Sequence, residues 1–210
     1  MMPGAEVTAL WRGGGDNMHL DLFVTDRGGS VWTTYWEPKT GWAAWFVAAQ
    51  DKAGKAHLMA PAAPVTGAWR RDHLDIFAVD RDGLTYHAYW EPRIGWSQWN
   101  LFFKHITGAR WVAAYGHWDA DSSFLLIPGA NRYTSEEMYY TWATGTGTYG
   151  PWQLIAEPDD KHTRWYPDTR IEFCNSKNIA RSVATSRYGV PWKLSVDSSP
   201  SEPKSPWDGG

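Results

Sequence analysis

Along this chain, apolar and polar positions alternate over short runs. They do not recur at the three-to-four residue spacing of a helix face in any window of ten or more residues. Val7–Trp11, His19–Thr25, Ser30–Glu37 and Trp42–Ala48 are rich in aromatic and β-branched residues. Gly13-Gly14-Gly15, Arg27-Gly28-Gly29 and Pro38-Lys39-Thr40-Gly41 separate them. This pattern predicts four short strands joined by turns. Within His19–Thr25, Leu20, Leu22 and Val24 fall on one face and His19, Asp21, Phe23 and Thr25 on the other.

The block then repeats. His19-Leu20-Asp21-Leu22-Phe23 returns as His73-Leu74-Asp75-Ile76-Phe77, Tyr35-Trp36-Glu37-Pro38 as Tyr89-Trp90-Glu91-Pro92, and Gly41-Trp42 with Trp45 as Gly95-Trp96 with Trp99, all at an offset of 54 residues. Between 19–46 and 73–100, 14 of 28 aligned positions are identical, which at constant register means two copies of one unit. Asp82-Gly83 adds a hairpin turn signal in the second copy. A weaker third copy runs from Trp111 through Ser123–Ile127 and Tyr140-Thr141-Trp142 to Tyr149-Gly150-Pro151-Trp152. A fainter fourth runs from Trp165 through Arg170–Cys174 to Tyr188–Trp192. Four short strands per repeat of this length describe a propeller blade. The expected fold is therefore an all-β β-propeller of four-stranded antiparallel blades, about four of them, or a partial propeller completed by oligomerisation. The blades fall at about 5–50, 62–103, 106–156 and 162–197 in one domain, 1–197. Residues 50–64 form an inter-blade loop, and 198–210 a disordered tail or linker with too few apolar residues to pack. Val7–Trp11 either opens the first blade or completes the last one and closes the ring.

Composition narrows the function classes. The net charge of −3 leaves no basic face for phosphates, so nucleic acid is not an expected partner. Cys174 is the single cysteine, which excludes an internal disulfide and a cysteine-rich zinc site. No stretch is long and apolar enough to span a membrane as a helix. The first residues lack a charged-then-apolar leader pattern, and the compartment stays open between the cytoplasm and a non-Sec route of release. His19-x-Asp21 and His73-x-Asp75 offer two ligands per copy, too few for a closed metal site, and no metal or cofactor is expected. Asp21 and Asp75 are expected at blade interfaces, accepting backbone or indole N–H bonds.

Sixteen tryptophans supply the candidate chemistry. In the Trp-x-x-Trp pair, a spacing of three along a strand predicts rings on opposite sides. The second ring (Trp45, Trp99, Trp152, Trp192) is expected in the core. The first position (Trp42, Trp96, Tyr149) follows a glycine turn and is a candidate sugar platform, or else cover for a neighbouring blade. Tyr35-Trp36-Glu37 and Tyr89-Trp90-Glu91 are the other candidate sugar-binding residues; they end strands before a proline, which places Glu37 and Glu91 at a loop rim. There they accept sugar hydroxyls or pair with Lys39 and Arg93 as solvated charges.

Leu74-Asp75-Ile76-Phe77, Asp80, Gly83, Tyr89-Trp90 and Gly95-Trp96-Ser97-Gln98-Trp99 together resemble the repeat of the PLL-type β-propeller lectins, over about half of the chain. The resemblance implies a multivalent lectin that binds fucose-like or O-methylated sugars between blades. It departs from that family in having length for about four blades instead of seven. Glycans or glycoconjugates are then the expected partners, with a second copy of the chain as a further one. A glycoside hydrolase would need two differentiated carboxylates around one bond. Glu37 and Glu91 are equivalent positions in separate copies, so a non-enzyme is expected. A protein-interaction propeller without a sugar site is the alternative.

Overall fold

The computed structural model describes residues 5–13, 15–51, 53–70, 72–103, 109, 111–116, 122–131, 134–144, 149–150, 153–154, 172–176, 179–185 and 191–197. Trp152, Trp165 and the 198–210 tail lie outside the described residues. The chain is an all-β propeller of antiparallel sheets. Sheet 1 holds β1 (Val7–Arg12), β2 (His19–Thr25), β3 (Val31–Glu37), β4 (Gly41–Trp42) and β5 (Phe46–Val47). Sheet 2 holds β6 (Thr66–Arg70), β7 (His73–Val79), β8 (Thr85–Glu91), β9 (Gly95–Trp96) and β10 (Asn100–Phe103). Sheet 3 contains β11 (Ala113–Gly116), β12 (Ser122–Asn131), β13 (Thr134–Thr144) and β14 (Gln153–Leu154). Sheet 4 contains β15 (Glu172–Ser176), β16 (Ile179–Thr185) and β17 (Pro191–Asp197). β1 pairs with β2 inside sheet 1, so it opens the first blade and does not complete the last one. Its side lies along β6, and β6 lies along β11, which sets the first three sheets around their innermost strands.

The β2–β3 turn shows why the repeated Asp-x-x-Gly is needed. Asp26 Oδ1 accepts the Ser30 N–H at 2.9 Å and Oδ2 the Trp32 indole N–H at 2.8 Å. Burial would raise the Asp26 carboxyl, but these bonds outweigh it and hold the group below its ordinary value. Gly29 sits at φ 95°, and a Cβ there would lie 2.2 Å from the Met59 carbonyl oxygen, so only glycine fits. That close approach docks the inter-blade segment, where the Met59 N–H donates to Gly29 O at 2.8 Å. The segment is therefore part of the core, with Met59 fully buried.

The fourth strand differs from the sequence expectation. Trp36 opposes Trp42, but Thr33 opposes Phe46, a register change of one residue. Sheet 2 repeats it, with Trp90 opposite Trp96 and His87 opposite Asn100. This β-bulge splits Trp42–Ala48 into β4 and β5 and adds one residue between the two tryptophans. The extra residue cancels the parity of a three-residue spacing. The paired rings consequently share a face, and Trp96 and Trp99 both pack into one core cluster.

That cluster is the interface between sheets 1 and 2. Phe23, Val31 and Leu10 of sheet 1 meet Trp69, Leu74, Ile76 and Ala88 of sheet 2. A second cluster, Phe77 and Val79 with Val112, Ala114, Tyr139 and Tyr149, joins sheets 2 and 3. Sheet 2 is thus covered on both faces, and every residue of β7 is buried. Sheet 1 is covered on one: along β1 the residues alternate between exposed and half-buried. Trp45 is consequently 38% exposed, not core as expected, while its counterpart Trp99 is 8% exposed.

Candidate functional site

Register pairing places Arg12 opposite His19 and, in the next sheet, Arg70 opposite His73. On the same face of sheet 1 stand Asp21, Tyr35 and Glu37. His19 lies between two carboxylates, its Nδ1 3.2 Å from Glu37 Oε1 and its Nε2 3.1 Å from Asp21 Oδ1. Tyr35 stacks on the imidazole with ring centroids 5.2 Å apart. Asp21 Oδ2 also accepts the Trp69 indole N–H from sheet 2 at 3.1 Å, the bond expected of a carboxylate that ties one blade to the next. Both ring nitrogens of His19 are thereby engaged, and among the described residues no cluster suited to a metal ion is present.

Arg12 is held differently. Its guanidinium carbon sits 4.4 Å from the centroid of the Trp69 ring and 6.0 Å from that of Trp90. Such faces attract a cation without consuming its N–H donors. Nη1 reaches Asp72, 3.2 Å away and 79% exposed, and buried Nε has no partner among the described residues. Arg12, Asp16, His19, Glu37, Lys39 and Asp72 border a cleft of about 700 Å³, a volume that suits a small ligand. The cleft opens beneath the β1–β2 connection, residues 13–18, which is six residues long against two (71–72) between β6 and β7.

Sheet 2 repeats the framework but closes it. His73 lies between Glu91 (2.9 Å) and Asp75 (3.0 Å) and stacks on Tyr89 at 5.1 Å. Arg70, in the place of Arg12, turns inward, with Nε and Nη2 each 2.7 Å from Asp75 Oδ2. His87 Nε2 lies 2.7 Å from Asp75 Oδ1, and Tyr149 from sheet 3 donates its hydroxyl to Oδ2 at 3.3 Å. Burial alone would push the Asp75 carboxyl up; His73, His87 and Arg70 outweigh it and hold the group far below the usual carboxylate range.

Of the sequence-predicted site residues, Tyr35, Glu37 and Trp90 come together at or behind the cleft, and Tyr89, Glu91 and Tyr149 gather around the closed counterpart. Trp36, Trp42 and Trp96 do not line the cleft. Trp36 and Trp42 form a cross-strand pair on the opposite face of sheet 1, and Trp96 meets Phe23 edge-on at 6.1 Å between the sheets. Arg12 was missed. The sequence does carry its signal: Val7-Thr8-Ala9-Leu10-Trp11-Arg12 returns as Val65-Thr66-Gly67-Ala68-Trp69-Arg70, at an offset of 58 instead of the 54 of the other repeated segments.

No protein-family model matches the sequence, and no protein of curated function matches it either. Solved structures do resemble it. The BP39L lectin from Burkholderia pseudomallei superposes with a TM-score of 0.70 at 17% identity, over 98% of this chain and 54% of that one. A mutant of the Aleuria aurantia lectin AAL in complex with Fucα1-6GlcNAc gives 0.64 at 16% identity, over 93% and 60%. The lectin of the same fungus described as a six-bladed β-propeller gives 0.58 at 10%, over 94% and 62%. The chain thus spans a little over half the length of these lectins, and it has the β-propeller fold that they have.

Proposed function

We propose that this chain is a carbohydrate-binding propeller, and that the cleft between its first two sheets takes a neutral sugar of the fucose class. The observation that carries the reading is Arg12: a guanidinium spread on two indole faces, with most of its donors uncommitted, beside the half-exposed carboxylate of Glu37. Adjacent sugar hydroxyls present the matching set, since each accepts from a guanidinium and donates to a carboxylate. Arg12 and Lys39 against Glu37, Asp16 and Asp72 give mixed signs, which suits a polyol better than a strongly charged ligand. The fold likeness to lectins bound to fucosides supports the sugar class. The aromatic residues Tyr35 and Trp90 act from behind, holding His19 and Arg12 in place. The expected role is binding without turnover.

Titration of the protein with methyl α-L-fucoside, beside a broad glycan array, tests this. Arg12→Ala and Glu37→Gln are each expected to weaken binding tenfold or more. Asp82→Asn, which removes an exposed charge in the turn between β7 and β8 away from the cleft, changes it less than twofold. An array on which the native chain binds no glycan would overturn the reading, as would release of reducing sugar from a bound glycan.

A further inference from the structure

Four of the most exposed large apolar side chains of the described residues belong to the uncovered face of sheet 1: Val7 (52%), Trp11 (46%), Trp42 (54%) and Trp45 (38%). Register places Trp11, Leu20, Trp36 and Trp42 in one row across four strands. The same row in sheet 2 is Trp69, Leu74, Trp90 and Trp96. There it is covered: Trp69 is 3% exposed, Val65, the counterpart of Val7, is 3% exposed, and Trp99 8%. One surface thus occurs twice in this molecule, once buried and once open.

The buried copy shows what covers such a row. The facing surface of sheet 1 gives Trp69 a carboxylate for its indole N–H, sets Phe23 edge-on to Trp96, and lays Arg12 over Trp69 and Trp90. The Thr8 hydroxyl donates to the Val65 carbonyl beside it. A contiguous apolar patch of this size marks an interaction surface, and its internal counterpart specifies a blade face as the occupant. Within each chain the equivalent faces of sheets 1 and 2 are already filled by the sheet that follows. The chain also spans 54% of the BP39L lectin chain, so two copies together match one such chain in length.

We infer that the open face of sheet 1 is a blade-stacking interface covered by a second copy of this chain, which contributes a face from its sheets beyond the second. The contact is head-to-tail, so each copy both gives and receives a face, and two copies close the assembly. Trp42 then serves assembly, as Trp96 serves the contact between sheets 1 and 2.

Light scattering on the size-fractionated 210-residue chain, from low to high micromolar concentration, tests the inference. The native chain is expected at twice its own mass. Trp11→Glu/Trp42→Glu halves that mass, and Ile94→Glu, which removes a still more exposed apolar side chain from a turn of sheet 2, leaves it unchanged. Should the double variant lose its strand signal in circular dichroism, Val7→Glu at the rim of the same face takes its place. A native chain that stays monomeric throughout would overturn the inference, as would an assembly that persists in the folded variants. Neither result bears on the cleft, whose sugar binding is read through Arg12.

Discussion

Arg12 and Arg70 occupy one register position in consecutive blades and face opposite demands. Asp21 obtains its inter-blade donor from the Trp69 indole, so Arg12 is left to the indole faces and the cleft. Asp75 is fully buried and draws Arg70 inward with His87 and Tyr149. The two residues should therefore separate in a stability measurement. Arg70→Ala strips a partner from a buried carboxylate and is expected to cost about 3 kcal/mol or more in urea unfolding, the range seen when one side of a buried ion pair is removed. Arg12→Ala, whose ion-pair partner among the described residues is an exposed aspartate, is expected to cost about 1 kcal/mol or less. Equal losses would contradict the division of roles. The repeated Trp-Arg dipeptide made both arginines legible in the sequence as one recurring feature. Their divergence was not legible, because it depends on what the neighbouring sheet offers each aspartate: an indole in one case, a tyrosine hydroxyl in the other.

Strand positions are set by alternation and turn chemistry, and three of the four strands expected in sheet 1 lie within one residue of their observed bounds. The bulge in the fourth was invisible to a reading by period, since an inserted residue leaves no compositional mark; it appears only when one strand is paired against another. Its consequence is large, because it moves Trp45 and Trp99 to the face of Trp42 and Trp96. The innermost strands carry a sharper constraint. At Gly67 a Cβ would lie 2.5 Å from the Asp75 carbonyl oxygen and 2.7 Å from Leu10 Cδ1 of the neighbouring sheet. Leu10 can rotate away, but the carbonyl of the paired strand cannot without breaking the ladder. Gly67→Ala is thus expected to destabilise by about 1–3 kcal/mol, the usual cost of overpacking a filled core. Chemical denaturation would read the loss. Leu10→Ala in the same chain should recover little of it if the clash is chiefly with backbone.

Across the whole molecule, the sheets are tied together through buried carboxylates as much as through apolar clusters, and this makes the propeller acid-sensitive in a particular way. The repeat at 54 residues announced the blades, but sheets 1 and 2 are so alike in sequence that nothing in it tells which one is enclosed on both faces. That distinction concentrates the burial on Asp75, at the junction of sheets 2 and 3. In the unfolded chain Asp75 takes up a proton near the ordinary aspartate value of about 4. In the folded chain its carboxyl stays ionised well below that. Its contribution is therefore fully present above the unfolded value and is lost as the pH falls from there toward the folded one, where the unfolded state binds a proton that the native state refuses. Asp75→Asn should be less stable than the native chain at pH 7, and the gap should narrow steadily between about pH 5 and pH 2. Thermal melts of both proteins across that range would check it. Parallel curves would mean that another carboxylate carries the acid response, and that the ties around Asp75 do not set the stability of the stacked sheets.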